Sequence, residues 1–306
     1  MRNLICLAFF LSILATLFQP AFASDISILA IRPDNGNFSS TPEENQSNSY
    51  LQLSGEIKKG DAEKLAKTLV LSHPFGTFLY LDSPGGDIEE AMRIASLAKA
   101  LHLATVVASG GSCASACFFI FLAGETHLAA GTFDRRMPKR EAGYIGLHRP
   151  YLKSDPFKKS GSADAETRQH EVMKKTGTYL RDEDVPQRLI DLMMSRPSND
   201  IYWMTQDDID QLGSFSPGYE ELLISRCGYN RNMFDDISTA KLMARQRGDS
   251  ALAAREEERL KASARALGHC EASAFPDLMQ ESFTNTERLR KGWRPWLKPK
   301  TVGKRQ

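Results

Sequence analysis

The stretch that decides the fold is residues 104–124, ATVVASGGSCASACFFIFLAG. Its first five residues are apolar and rich in β-branched side chains, which predicts a buried strand. Gly110 and Gly111 permit a tight turn, and the small residues from Cys113 to Cys117 predict the start of a closely packed helix. Ser115 would then lie in the first turn of that helix. Because a helix N-terminus presents free amide N–H groups to an anion, a serine at a strand–turn–helix junction is a candidate nucleophile.

The residues before this stretch alternate between strand and helix signals. Apolar strands are predicted at residues 25–31, 50–53 and 77–81, and apolar stripes of helical period at residues 61–71 and 88–101. This alternation predicts an α/β fold with a parallel sheet and crossover helices. In such a sheet the ligand crevice lies at the carboxyl ends of the strands, and the pair Gly85 and Gly86 falls at one of those ends.

The first 23 residues have the pattern of a secretory signal peptide. Arg2 precedes an apolar run over residues 4–18, and an Ala-x-Ala sequence ends at Ala23. The run is shorter than the roughly 20 residues of a spanning helix, which favours cleavage after Ala23 over the alternative, an uncleaved membrane anchor. We therefore expect an exported protein, located in the periplasm.

Charge and length limit the function classes. The chain has 39 Lys and Arg against 38 Asp and Glu, and loss of Arg2 with the leader makes the balance equal, which argues against nucleic-acid binding.

Helix-forming residues follow the α/β region, and residues 288–306 hold eight basic residues, no acidic one, and Trp293 and Trp296. This tail is predicted to be unstructured or to contact an anionic membrane surface. The predicted divisions are 1–23 signal peptide, 24–49 strand and loop, 50–215 α/β domain, 216–287 helical appendage and 288–306 basic tail.

Four cysteines remain beyond the leader. Cys227 and Cys270 flank a helical stretch and form the natural disulfide pair. Cys113 and Cys117 would lie four residues apart on one helix, where a bridge is strained, so we expect buried free thiols; pairing between the two sets stays open. A metal site built on Cys113, Cys117 and His148 would lack further soft ligands at a useful spacing, so we expect no metal and no cofactor.

Five motifs then occur in order along the chain. They are Gly55-Glu56-Ile57, Ser83-Pro84-Gly85-Gly86, Gly111-x3-Ser115, Gly124 nine residues after Ser115, and Leu147-His148-Arg149-Pro150. Over roughly residues 50–215 this order resembles the proteolytic subunit of the Clp protease and its relatives, which include signal-peptide peptidase A and the crotonase fold. The resemblance implies a ClpP/crotonase-like α/β core of repeated ββα units, assembly into a homo-oligomer, and serine peptidase activity.

The resemblance also implies roles for individual residues. Ser115 matches the nucleophile, His148 the general base, and the amides of Gly85, Gly86 and Ala116 the oxyanion hole. The family's acid precedes an aromatic-x-Ser/Thr segment, which Trp203-Met204-Thr205 fits, but its matching position holds Ile201. We therefore take the neighbouring Asp200 as the candidate acid, with Asn199 in reserve.

These residue types suit acyl transfer. Neutral histidine can take the proton of a serine hydroxyl near neutral pH, and a third group fixes its tautomer. The sequence thus predicts an exported, ATP-independent serine endopeptidase acting on peptides and on unfolded or membrane-released segments. The displaced acid and the flanking cysteines motivate an alternative, a catalytically inactive binding or assembly module. A third reading, acyl-thioester chemistry of the crotonase kind, is disfavoured because that group does not rely on a Ser–His pair.

Overall fold

The computed structural model describes residues 25–31, 38–39, 49–71, 77–129, 143–151, 163–197 and 199–297. The predicted signal peptide, most of the predicted loop after residue 31, and the end of the basic tail lie outside the described residues. Among the helices that are described, none is both long and apolar enough to cross a bilayer.

The main sheet has six strands in the order β2-β1-β3-β4-β5-β7. The strands are β1 (Asp25–Ile31), β2 (Phe38–Ser39), β3 (Ser49–Ser54), β4 (Phe78–Asp82), β5 (Ala104–Val107) and β7 (His127–Ala129). Strands β3, β4, β5 and β7 are parallel, while β1 pairs antiparallel with β3 at one side. Helices α1 (Asp61–Leu71) and α2 (Ile88–Ala100) make the crossovers, as the alternating pattern predicts.

A second sheet of three strands lies beside the first and carries the candidate site. It has the order β6-β8-β9, with β6 (Ser112–Ala114), β8 (Tyr144–Leu147) and β9 (Tyr202–Trp203). Strand β8 runs parallel to β6 and antiparallel to β9. Four helices complete this domain: α3 (Cys117–Leu122), α4 (Ala163–Asp182), α5 (Gln187–Ser195) and α6 (Gln206–Leu212).

Helix α3 lies at the centre of the core. All six of its residues are buried, among them Phe118, Phe119 and Phe121. A helix that is apolar on every side is stable only when other elements surround it, and here α2, β5, β6 and β8 do so. The α/β class with a parallel sheet and the buried position of this segment are confirmed.

The expectation of free thiols at Cys113 and Cys117 is wrong. The two side chains form a disulfide, with their Cα atoms 5.2 Å apart. The prediction placed both on one helix, but Cys113 lies on β6 and the helix begins only at Cys117. Between them Ser115 has a left-handed backbone, φ 56°, which turns the chain sharply. That turn brings the two Cα atoms to a separation usual for disulfides.

The described residues beyond 216 are helical, as predicted, and form four helices: α7 (Pro217–Cys227), α8 (Arg231–Gln246), α9 (Ser250–Ala274) and α10 (Pro276–Arg290). A disulfide joins Cys227 to Cys270, the predicted pair. Residues 236–267 have a helix-forming sequence. The structure divides that segment, because Gly248 adopts φ 73° between α8 and α9 and ends the first helix.

Helix α10 and the residues after it pack on the α/β domain. Ser282 Oγ donates to the carbonyl of Leu101 at 3.0 Å, and Asn285 donates to the carbonyl of Ala100 at 2.9 Å. The Arg294 guanidinium donates to both carboxylate oxygens of Glu63. Trp293 and Trp296 are half-buried against the core. The start of the predicted basic tail is therefore part of the folded body.

A small ionic cluster lies at the same junction. His102 Nδ1 is 2.5 Å from a carboxylate oxygen of Glu125, and its Nε2 is 3.6 Å from Glu281 of α10. Burial acts to lower the pKa of His102, but the hydrogen bonds and charges of the two glutamates outweigh it and raise the pKa above its usual value.

Candidate active site

One cavity of about 400 Å³ lies where β4, β6 and β8 end. Its lining residues come from four of the sequence motifs, those that hold Gly55, the Gly85–Gly86 pair, Ser115 and His148. They are Gly55, Glu56, Pro84, Gly85, Gly86, Ile88, Ser115, Ala116, Phe119, His148, Pro150 and Tyr151. The sequence predicted a crevice at the carboxyl ends of the parallel strands, and the cavity lies there. The structure thus brings Ser115, His148, the glycine pair and Ala116 together in one space.

Ser115 occupies a strained turn between β6 and α3. Its φ of 56° lies in the left-handed region, which costs a residue with a side chain about 1–2 kcal/mol. Its amide donates to the carbonyl of Gly146 at 2.9 Å, and its own carbonyl accepts from Phe118 at 3.0 Å. The disulfide of Cys113 and Cys117 closes a small ring around it. The backbone of Ser115 is therefore held on both sides.

The turn after β4 packs tightly against Ser115. A Cβ placed on Gly85, where φ is +96°, would lie 2.7 Å from Ser115 Cβ and 2.6 Å from the carbonyl oxygen of Ala114. Only glycine permits this approach. The Gly85 amide donates to Ser83 Oγ at 3.1 Å, so it is not free for a ligand.

The amide N–H groups of Gly86 and Ala116 differ from that of Gly85. Among the described residues neither donates to an acceptor, and both residues line the cavity. Ala116 immediately precedes α3, where helix N–H groups have no partner within the helix. Of the three predicted oxyanion donors, Gly86 and Ala116 are those whose amides have no acceptor within the described residues.

His148 directly follows β8 and is 6% exposed. Its Nδ1 lies 3.0 Å from the carbonyl oxygen of Arg149. Because a carbonyl only accepts, Nδ1 carries the proton and Nε2 of the neutral ring is free to accept one. No hydrogen bond joins His148 to Ser115 Oγ in the described part of the chain.

Within the described residues Asp200 makes no hydrogen bond to His148. Its carboxylate accepts from the Arg196 guanidinium at 2.6 Å, and its side chain is 52% exposed. The reserve residue, Asn199, is also exposed. The contacts of Asp200 therefore give no support to its predicted role as the acid of a triad.

Asp208, which the sequence analysis did not single out, has a buried carboxylate next to β9. Asp208 accepts from the Tyr202 hydroxyl at 2.7 Å, from the Thr205 amide at 2.8 Å and from Arg188. Burial acts to raise the pKa of Asp208, but these hydrogen bonds outweigh it and hold the pKa below its usual value. The network fixes β9 against the start of α6. The Thr205-x-x-Asp208 capping box is the sequence signal that could have found it.

No group of three or more His, Cys, Asp or Glu side chains within the described ranges has the arrangement of a metal site. The two cysteines nearest Ser115 are bonded to each other, so they offer no thiolate ligand.

Part of this chain is similar to known proteins. Residues 41–152 match the Clp protease family model. Similar solved structures include ClpP1 from Listeria monocytogenes, 18% identical, with a TM-score of 0.38 over 54% of this chain and 86% of that one. Another is a variant of 1510-N, a membrane-bound stomatin-specific protease, 18% identical, with a TM-score of 0.39 over 58% of this chain and 83% of that one. No curated protein matches the chain at a significant level.

The matched region contains the glycine turn, the strained serine and the histidine that line the cavity. The resemblance to the Clp protease group that the sequence motifs indicated is therefore confirmed over residues 41–152.

Proposed function

We propose that this protein is a serine peptidase whose nucleophile is Ser115 and whose general base is His148. One observation carries the proposal: Ser115, His148 and the two unpaired amides of Gly86 and Ala116 line the same cavity of about 400 Å³. A nucleophile, a base and oxyanion donors are the groups that acyl transfer needs.

The proposed reaction starts with a peptide carbonyl in this cavity. His148 Nε2 accepts the proton of Ser115 Oγ while the oxygen attacks the carbonyl carbon. The charge that develops on the carbonyl oxygen is stabilised by the Gly86 and Ala116 amides. His148 then donates the proton to the leaving amine, and a water molecule repeats the sequence to release the acid.

The two disulfides support export as part of the proposal. Four cysteines of this chain are oxidised, and structural disulfides persist mainly in secreted and periplasmic proteins. A periplasmic enzyme has no ATP supply, so we propose ATP-independent cleavage of peptides and unfolded segments, by a homo-oligomer. Membrane contact through the tail is not part of the proposal, because Trp293 and Trp296 pack on the core.

One observation favours the second candidate, an inactive binding module. The carboxylate predicted to assist His148 is paired with Arg196 instead. Such a module would use the same cavity to hold a peptide without cleaving it.

Peptide hydrolysis separates the two candidates. The purified protein is incubated without ATP with a library of fluorogenic peptides and with a reduced, unfolded protein. We expect cleavage that Ser115→Ala and His148→Ala each abolish while both variants remain folded. Binding of peptides by folded protein with no cleavage of any of them would support the binding module and contradict the proposal.

A further inference from the structure

We propose that His148 works in a Ser–His dyad whose orienting group is the backbone carbonyl of Arg149, with Ile201 at the place where a carboxylate would complete a triad. This inference rests on the proposed function and names the positioning groups of the same site.

A backbone carbonyl orients the ring of His148. Nδ1 is 3.0 Å from the Arg149 carbonyl oxygen, which accepts a proton and never supplies one. The contact therefore selects the tautomer that leaves Nε2 unprotonated, which is the first of the two tasks of a triad carboxylate. The second task, stabilising the imidazolium with a full negative charge, is left to a carbonyl dipole.

The Arg149 carbonyl is itself held in place. The Arg149 amide donates to the carbonyl of Arg196 at 3.1 Å, which ties the segment after β8 to the end of α5. The same Arg196 binds Asp200 through its guanidinium, at 2.6 Å. One arginine thus fixes the backbone beside His148 and also holds the nearest predicted acid in an ion pair.

The pairing of β8 with β9 brings Ile201 close to the end of β8. Leu147 of β8 is opposite Tyr202 of β9, and Gly146 is opposite Trp203. The pairing ends there, because the Arg149 amide donates to Arg196 and not to β9, so His148 and Ile201 are the first residues beyond the last pair on their two strands. Ile201 Cγ2 also lies 2.8 Å from where a Cβ on Gly146 would stand, so its side chain faces the strand that leads to His148.

Ile201 is 37% exposed, so a smaller and polar side chain can replace it without burying a charge fully. The Ile201 side chain lies against Gly146, so an aspartate at position 201 would start beside the end of β8. Asp200 lies instead in a turn, where its amide donates to the carbonyl of Pro197 and its carboxylate is bound by Arg196. The turn and the ion pair explain why the acid one position away does not assist His148.

The test compares the full chain with Ile201→Asp, Ile201→Asn and Asp200→Asn. Ile201→Asn is the matched control, since it has the shape of aspartate without the charge. Nitrogen-15 NMR of the His148 ring reads which nitrogen is protonated, and the rate of labelling by a fluorophosphonate reads the reactivity of Ser115. A His148→Gln variant assigns the ring signals.

We expect wild type and Asp200→Asn to share the Nδ1-protonated tautomer and to label at rates within about twofold of each other. Ile201→Asp is expected to label about tenfold faster or more, because a triad carboxylate can contribute several orders of magnitude, while Ile201→Asn gains nothing. A tenfold loss or a changed tautomer in Asp200→Asn would overturn the inference, as would folded Ile201→Asp labelling no faster than Ile201→Asn. If no variant labels at all, the proposed function fails, whereas the NMR result still decides which group orients His148.

Discussion

The disulfide of Cys113 and Cys117 is expected to hold Ser115 in its reactive conformation. Replacing both Cys113 and Cys117 by alanine opens the ring that encloses the serine. The second disulfide, of Cys227 and Cys270, lies in the helical appendage, and its double alanine variant is a matched control. The two variants should separate stability from activity.

The magnitudes follow from the lengths of the two rings. Cysteines four residues apart close a ring that stabilises the fold by about 2 kcal/mol in the chain-entropy model, and cysteines 43 apart one worth about 4 kcal/mol. The effect of opening the smaller ring on the reactivity of Ser115 depends instead on the backbone of Ser115, whose left-handed conformation costs about 1–2 kcal/mol. If the ring enforces that conformation, opening it lowers the population of the reactive turn by about tenfold, since 1.4 kcal/mol is a factor of ten.

Chemical unfolding and fluorophosphonate labelling rates measure the two quantities separately. Cys113→Ala with Cys117→Ala is expected to lose less stability than the control yet to label about tenfold more slowly. Cys227→Ala with Cys270→Ala is expected to lose more stability and to label at the wild-type rate at temperatures where it is folded. Wild-type labelling by the Cys113/Cys117 variant would refute the view that the disulfide positions Ser115.

Three further predictions concern other parts of the chain. Gly85→Ala should slow labelling more than tenfold at a stability cost of about 1–3 kcal/mol, because its Cβ would collide with the Ser115 turn; unimpaired labelling would contradict this. The pKa of His102 is raised beside Glu125, so the protonated His102 stabilises the folded protein fully below about pH 6.5, and this contribution is lost as the pH rises through the raised pKa. Chemical unfolding should therefore show that the difference in unfolding free energy between wild type and His102→Asn shrinks over that rise in pH. Arg294→Ala breaks the paired hydrogen bonds to Glu63 and should cost about 1 kcal/mol and speed proteolysis after α10, while equal proteolysis of the two proteins would show that the tail is held without this pair.

The α/β core was predictable because its signals are local. Alternating strand and helix patterns over residues 50–124 fix the class, and helices at residues 61–71 and 88–101 agree with α1 and α2 within a residue. The cavity was predictable for the same reason, since glycine turns after parallel strands meet at one edge. These features depend on sequence period and on turn chemistry.

Sequence reasoning was insufficient where one backbone angle or one strand pairing decides the result. Because Ser115 has a positive φ, Cys113 lies on a strand and not on the predicted helix, and this geometry permits the disulfide. No residue type in the segment indicates that backbone angle. The place of Ile201 beside the end of β8 depends on the pairing of β8 with β9, a two-residue strand too short to show a period. The docking of Trp293 and Trp296 depends on contacts with helices far away in sequence.

The most direct test of the account is the mass of the protein after treatment with a fluorophosphonate, followed by mapping of the modified peptide. Ser115 lies in the strained turn beside His148 and beside two unpaired amides. The account predicts one adduct per chain, carried by Ser115 and absent from both Ser115→Ala and His148→Ala. Folded protein that takes up no adduct, or an adduct on another serine, would contradict it.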